Sequence, residues 1–305
     1  MSLRRQASYN PTLTTFAQGV SQDLTSALAE FIAPTVPVSS SMGYYKAFDE
    51  KNAFQVQSTG RALGGSARRI EFVESDPTFN CQPQALEITI DDAERDAAGP
   101  DVAAMEEGKT RTLVAVATVS HEDKVLTQAK TLAAVAARGQ WSDTSVDPIS
   151  EIDEQIEAIA TATGMMPNAI AFGLGAWRVF RKHPKVIARQ PGATIIGLSE
   201  AQAASMLLNP AAQIRVGVLS KDATKFGSAA SKSNIVGAEV FIFLRSPNPT
   251  AYDPSWMKTF TIGTGGVTAV RQYRDEKARS DVLAVDWSED IQIVGSICAR
   301  RLTIS

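Results

Sequence analysis

The chain has 305 residues, enough for one large domain or two smaller ones. With 44% apolar and 21% charged residues it is composed like a folded globular protein rather than a disordered one, and no apolar run approaches the roughly 20 residues of a membrane span. The formal charge is −3, with 13 Lys/Arg against 19 Asp/Glu in residues 1–150 and 17 against 14 in residues 151–305, which excludes a strongly basic nucleic-acid binder. The opening MSLRRQASYNPT has two arginines but no apolar segment behind them, so it is not a secretory signal. Cys81 and Cys298 are the only cysteines; a bridge between them stays open, but two thiols in a chain this long fit a reducing compartment better.

Residues 1–15 are polar. Gly19 to Ile32 then reads as one amphipathic helix, with Val20, Leu24, Leu28 and Phe31 or Ile32 on one side. Ala33 to Val38 (APTVPV) follows as an extended strap that two prolines keep from being helical. A lone helix on a strap must pack somewhere, either back on its own domain or across to a neighbour. Tyr44 to Phe48 and Ala67 to Ser75 read as two strands, joined by a polar connection containing Gly60, Gly64 and Gly65. Such a hairpin has little core of its own and needs a surface to lie on. It is either a surface flap or an arm that docks on an adjacent subunit.

Pro100 to Gly139 keeps an approximate i, i+3, i+4 pattern through Leu113, Val116, Leu126, Leu132 and Val135, which predicts a long helix ended by Gly139. Asp147 or Ser150 is placed to cap a second helix, Glu151 to Thr163, with Ile152, Ile156 and Ile159 as its buried stripe. The stretch Pro167 to Val186, PNAIAFGLGAWRVFRKHPKV, then predicts a buried strand from Ala169 to Phe172, a turn at Gly173 and Gly175, and a helix from Ala176 to Lys182. That helix carries Trp177 and Phe180 on one face and stops at Pro184. A third helix is predicted from Ser199 to Leu208, and strands at Ile214–Leu219 and Ala238–Leu244 flank a polar loop, Lys221 to Asn234. The last quarter gives strands at Lys258–Ile262, Val267–Tyr273, Asp281–Val285 and Ile291–Leu302. Their turns fall at Gly263–Gly266, Asp275–Ser280 and Ser288–Asp290.

This order of parts resembles the major capsid (major head) proteins of tailed bacteriophages of the Hong Kong 97 type, along essentially the whole chain. The wording Pro167-Asn168 … Trp177 … His183-Pro184 and the tail with its acidic-to-basic turn and closing Arg-Arg-Leu carry the likeness. The resemblance implies an α+β Hong Kong 97-like fold. Residues 1–42 would be the N-terminal arm, 43–80 the extended E-loop hairpin, 81–147 a P-domain with its spine helix, 148–252 an A-domain, and 253–305 further P-domain strands. It implies self-assembly into hexamers and pentamers of an icosahedral shell around double-stranded DNA. Scaffold, portal and decoration proteins would be its partners, with a virion location after assembly in host cytoplasm and no membrane, cofactor, metal or catalytic residue. Arm residues Leu24, Leu28 and Phe31 are expected at inter-subunit contacts. Arginines Arg61, Arg68 and Arg69 of the hairpin are expected to meet the acidic run Asp91, Asp92 and Glu94 of a neighbour. Some members join an E-loop lysine to a P-domain asparagine. Lys46 and Lys51 are available, but Arg271 to Val282 holds no asparagine, so no such bond is expected. Nothing as long as the scaffolding region of some members precedes the arm, which implies a separate scaffold or none.

An encapsulin-like compartment, or the head of a gene-transfer particle, would use the same fold for other cargo. A soluble nucleotide-binding α/β enzyme is the rival of another class. Its signal is weak: Gly173-Leu174-Gly175 lies between strand and helix, but the bulky Trp177 crowds the site where a third glycine belongs. Gly263 to Gly266 lacks the following Lys-Ser/Thr of a phosphate loop. His121, beside Glu122 and Asp123, reads as a residue of a solvated helix face, and His183 as a cation favoured at a helix end.

Overall fold

A computed structural model describes residues 27–48, 59–60, 63–65, 77–136, 140–189, 197–222, 224, 229, 231–263 and 270–304. From the N-terminus come α1 (Ala29–Ile32), β1 (Thr35–Val38), β2 (Met42–Tyr44), β3 (Thr78–Asn80), β4 (Gln82–Asp91), α2 (Asp92–Ala98) and the long helix α3 (Val102–Ala129). Next are β5 (Ala134–Ala136), α4 (Pro148–Thr163), β6 (Ala169–Gly173), α5 (Leu174–Lys182), α6 (Pro184–Ala188) and α7 (Glu200–Ser205). The chain ends with β7 (Gln213–Gly217), β8 (Ser220–Asp222), β9 (Lys232–Asn234), β10 (Glu239–Phe243), β11 (Met257–Ile262), β12 (Val270–Asp275), β13 (Ser280–Ile293) and β14 (Ala299–Thr303). The architecture is α+β, as expected.

One five-stranded sheet is ordered β1-β11-β13-β12, with β4 also paired to β13. The other is ordered β5-β14-β10-β6-β7. In the second sheet the strand alternation is clean. Ile170, Phe172, Val240, Ile242 and Leu302 face a core closed by α4, α5, α6 and α7; Ala169, Ala171, Phe241 and Phe243 face the opposite core, shared with α1 and α3. The alanines of β6 leave room on that side for the arm. Asp147 caps α4 through a 3.2 Å bond from the Ile149 N–H, and Ser199 with Gln202 forms a capping box on α7.

The 28 residues of α3 span about 42 Å at 1.5 Å per residue. Its first half (Leu113, Val114, Ala117) is buried against Ile90, Val270, Leu283 and Val285 of the first sheet. Its second half (Val125, Leu126, Ala129) is buried under the second sheet. The helix ends at Ala129, not Gly139. Arg301 of β14 donates from Nη1 to the Lys130 carbonyl at 2.7 Å and to that of Leu132 at 3.2 Å, taking carbonyls that a continuing helix would use. The alanine-rich run beyond then pairs as β5, parallel to β14. Alanine's helix propensity loses here to an available sheet edge.

Three other expectations need correction. Ser288–Asp290 is not a turn but the middle of β13, held extended by pairing with β4 and β11. The last predicted strand is interrupted by a 3-10 turn at Ser296–Cys298, after which β14 joins the second sheet, away from the other C-terminal strands. The polar segment 221–234 carries the small antiparallel pair β8–β9. The hairpin root is β2 paired with β3, slightly earlier than expected; the predicted strand Ala67–Ser75 lies outside the described residues. Both cysteines are buried and free.

Replacing Arg301 by Met removes the bonds to Lys130 and Leu132 and the 2.5 Å ion pair with Glu239. We expect a loss of about 2–4 kcal/mol in denaturant unfolding, since the stranded Glu239 stays largely buried. A loss under about 0.5 kcal/mol, the range of ordinary surface substitutions, would show that the helix stops for another reason.

Candidate functional site

Four consecutive residues in the middle of α3 tie it to four different parts of the chain. His121 Nδ1 lies 2.6 Å from Glu289 Oε2 on β13. Glu122 accepts the N–H groups of Leu28 at 2.8 Å and Ala29 at 2.6 Å. Asp123 accepts from Lys221 Nζ of β8 at 2.6 Å. Lys124 donates to Glu289 Oε1 at 2.6 Å and to Gln84 of β4 at 2.9 Å. A helix turns 100° per residue, so four neighbours can reach this widely only where the rod passes between both sheets and the arm. His121 is therefore not on a solvated face; its side chain is 15% exposed.

The two carboxylates of this node respond oppositely to their surroundings. Burial raises the Glu289 carboxyl, but the bonds and charges of His121 and Lys124 more than offset it and bring it down to about 2. Burial also raises Glu122, and there it prevails over the two N–H groups and the nearby imidazole. The first turn of a helix leaves backbone N–H groups without partners, and here the Glu122 carboxylate reaches across from another helix to take two of them.

This contact places two of the expected inter-subunit residues. Leu28 and Phe31 are each only 1% exposed and are packed in their own chain's core, Leu28 against Gly217 and Phe31 edge-on to Phe243. They are unavailable to a neighbour, which corrects their assignment as contacts: the end of the arm helix folds back. Leu24, Arg61, Arg68 and Arg69 lie outside the described residues.

The acidic run is largely engaged within the chain. Asp91 caps α2 by accepting from the Ala93 N–H at 2.8 Å. Asp92 takes a bidentate fork from Arg274 at 2.5 and 2.7 Å, and that bond lowers its carboxyl. Glu94 meets Lys109 at 2.6 Å, with the same effect. Around them Arg95 bridges Glu106 and Asp281. Sequence reading singled out the acids but missed Arg274 and Lys109, 182 and 15 residues away, because nothing local signals such pairings.

The turn that resembled a dinucleotide loop is filled by the chain itself. The Gly237 carbonyl accepts from Gly175 N at 3.0 Å and Ala176 N at 3.3 Å, occupying donors a pyrophosphate would need. A Cβ on Gly173 would fall 2.3 Å from that same oxygen. These glycines admit a loop of the protein, not a ligand. His183 is buried and neutral by geometry: Nδ1 accepts from the Lys185 N–H, and Nε2 donates to the Asp143 carbonyl at 3.2 Å. It caps α6 and is not a cation at a helix end. Among the described residues no group of three or more His, Cys, Asp or Glu is placed to hold a metal ion, and no helix is long and apolar enough to cross a membrane.

Two sheets bridged by one long helix, with a hairpin root beside the first, form an arrangement found in solved structures over the whole chain. A phage-related protein of Bordetella bronchiseptica superposes with a TM-score of 0.73 at 22% identity, covering 98% of each chain. The chain has the Hong Kong 97-type capsid fold. The putative capsid protein of an E. coli prophage shares this capsid fold with a TM-score of 0.55 at 11% identity, over 97% of this chain and 99% of that one. An encapsulin from Synechococcus elongatus does so with 0.57 at 10%, over 91% and 86%. No protein-family model and no curated protein matches the sequence.

Two predictions test the node. Glu122→Gln puts an amide NH₂ against one of two N–H groups, so it should cost about 1–3 kcal/mol and speed amide exchange at residues 28–33; unchanged exchange would show that apolar packing alone holds the arm. Glu289 has a depressed carboxyl, so its contribution is complete above about pH 4.5, the ordinary carboxylate range. It is lost as pH falls through about 2. The stability difference between wild type and Glu289→Gln should therefore be constant from pH 7 to 5 and shrink toward pH 2 in thermal melts.

Proposed function

We propose that this protein is the major capsid protein of a tailed bacteriophage or prophage: a non-enzymatic tile whose copies assemble into an icosahedral head around double-stranded DNA. The observation that carries the reading is end-to-end agreement of the fold with proteins described as phage-related and as a prophage capsid protein, covering 97–98% of this chain. The carbonyl-filled glycine turn weighs against the nucleotide-binding enzyme.

The physical logic is that of a reversible tiling. Individual contacts between tiles are weak enough for errors to dissociate, and many together close a stable shell. Extended segments suit this, because they bury area across a boundary without demanding a rigid fit. In this reading residues 1–26, including Leu24, and the hairpin 43–80 are the segments that lie across sister copies. Arg61, Arg68 and Arg69 then meet the Asp91–Glu94 run of a neighbour, in competition with Arg274 and Lys109. Hexamers and pentamers, scaffold, portal and decoration proteins, assembly in host cytoplasm, and the division into P- and A-domains belong to the same proposal. The likeness to an encapsulin supports a second reading, a nanocompartment shell with protein cargo.

Electron microscopy of the purified full chain decides. Closed icosahedral particles are expected; a monomer or small oligomer at high concentration would overturn the shell reading. Nucleic acid rather than protein inside particles made in cells separates a head from a nanocompartment. Deleting residues 1–26 should leave a folded subunit that assembles poorly, whereas deleting 1–32 should also destabilise the subunit by several kcal/mol, because it strips Leu28, Phe31 and Ile32 from the core. Normal particles from the shorter deletion would remove the arm from the mechanism.

A further inference from the structure

Phe31 is buried by two arginines. The guanidinium carbon of Arg215, on edge strand β7, lies 4.9 Å from the ring centroid, and that of Arg245, just after β10, lies 5.5 Å from it. Cation–π attraction to one ring accounts for one guanidinium, but it does not account for bringing two like charges to the same place. The arrangement also carries a cost. Burial, and then the charge of Arg215, lower the pKa of Arg245, and its buried Nε has no hydrogen-bond partner. No carboxylate among the described residues forms an ion pair with either arginine. Glu30, whose charge bears on Arg245, is committed to Thr35, accepting its N–H at 3.1 Å and its hydroxyl at 2.6 Å.

The site is held in place from behind. Asn168 accepts the Arg245 N–H and donates to the Arg245 carbonyl, both at 2.8 Å, fixing the backbone where β10 ends. Arg215 is placed by the parallel register of β6 and β7, in which it stands opposite Ala171 on the face that holds Phe31. Arg215 itself is exposed. Two preplaced forks beside an apolar floor, one half-buried and one at the surface, match a single planar anion.

We infer that Arg215 and Arg245 form a receptor for a carboxylate side chain of a second copy of this chain. Two cations are too few for a nucleic-acid track, which needs a stripe of them, and the chain as a whole is acidic. The same chain displays the complementary group: at the β12–β13 turn the Glu276 side chain is 85% exposed. The inference rests on the shell reading for its partner but not for its chemistry, and the test separates the two.

Full-length wild type, Arg215→Gln and the Arg215→Gln/Arg245→Gln pair are compared in three measurements. Thermal melting of the unassembled subunit should be unchanged for Arg215→Gln; a marked drop would show that the arginines serve the fold alone and overturn the inference. Titration with oligo-glutamate should raise the melting temperature of wild type in a salt-sensitive way and leave the double variant unmoved. Assembly followed by light scattering should need about tenfold more double-variant subunit, the factor that 1.4 kcal/mol per contact represents. Peptide binding without particles from wild type keeps the receptor and rejects the shell. Particles from the double variant at wild-type concentration and salt dependence reject the receptor and keep the shell. Normal assembly of the double variant with loss of double-stranded DNA binding assigns the pair to phosphate and overturns the inference as stated.

Discussion

The fold depends on one helix being buried at both ends by different sheets. A 28-residue rod would fray in water if it had one apolar stripe against one partner, and α3 instead changes partner halfway along. Leu113 to Ala117 belong to the first sheet and Val125 to Ala129 to the second. At the crossover the helix cannot be apolar, because neither sheet covers it, and there the run His-Glu-Asp-Lys connects outward in every direction. The helix thus fixes the spacing of the two sheets, and the polar node fixes its rotation between them. A tile that must meet many neighbours at set angles needs that rigidity.

The segment from Leu28 to Val38 locks the same junction from outside. Its helical turn is packed beneath the second sheet, and four residues later it becomes β1, the parallel edge strand of the first sheet. Pro37 is tolerated there because an edge strand has one side free of ladder bonds. Anything N-terminal to Leu28 is therefore launched from a fixed point between the sheets. An arm anchored in this way transmits a pull from a neighbouring tile to the centre of its own subunit.

Much of this was legible in the sequence where a local period met a local stop signal. The Pro167–Val186 stretch reads correctly because its strand is all apolar, its turn has two glycines, and Trp177 and Phe180 share a helical face. Asp147 and Ser199 are visible as caps for the same reason. The errors lie where a distant residue decides. Arg301 ends a helix 172 residues upstream at Ala129, and β4 and β11 hold Ser288–Asp290 extended against its turn-like composition. The ionic node was hidden in plain view: His-Glu-Asp-Lys looks like a solvated face because its four partners are scattered from Leu28 to Glu289. The family resemblance supplied the order of parts, but it could not show that Leu28 and Phe31 turn inward.

The opposite tuning of Glu122 and Glu289 gives the junction an order of failure. Both carboxylates are buried on one turn's length of helix contacts, yet one is held ionised by His121 and Lys124, while the other is ionised against the cost of its burial. As pH falls, Glu122 takes a proton first, and a protonated carboxyl offers a donor to one of the two N–H groups it had been accepting. The bonds of Glu289 persist to much lower pH. Acid therefore loosens the arm while the rod is still bolted to its sheet, and the charges that decide this (His121, Asp123, Lys124 and Lys221) all lie on the node itself. The weakest link of the subunit is the one nearest the segment that would reach a neighbour, so strain between tiles is relieved at the arm before it can separate the two sheets.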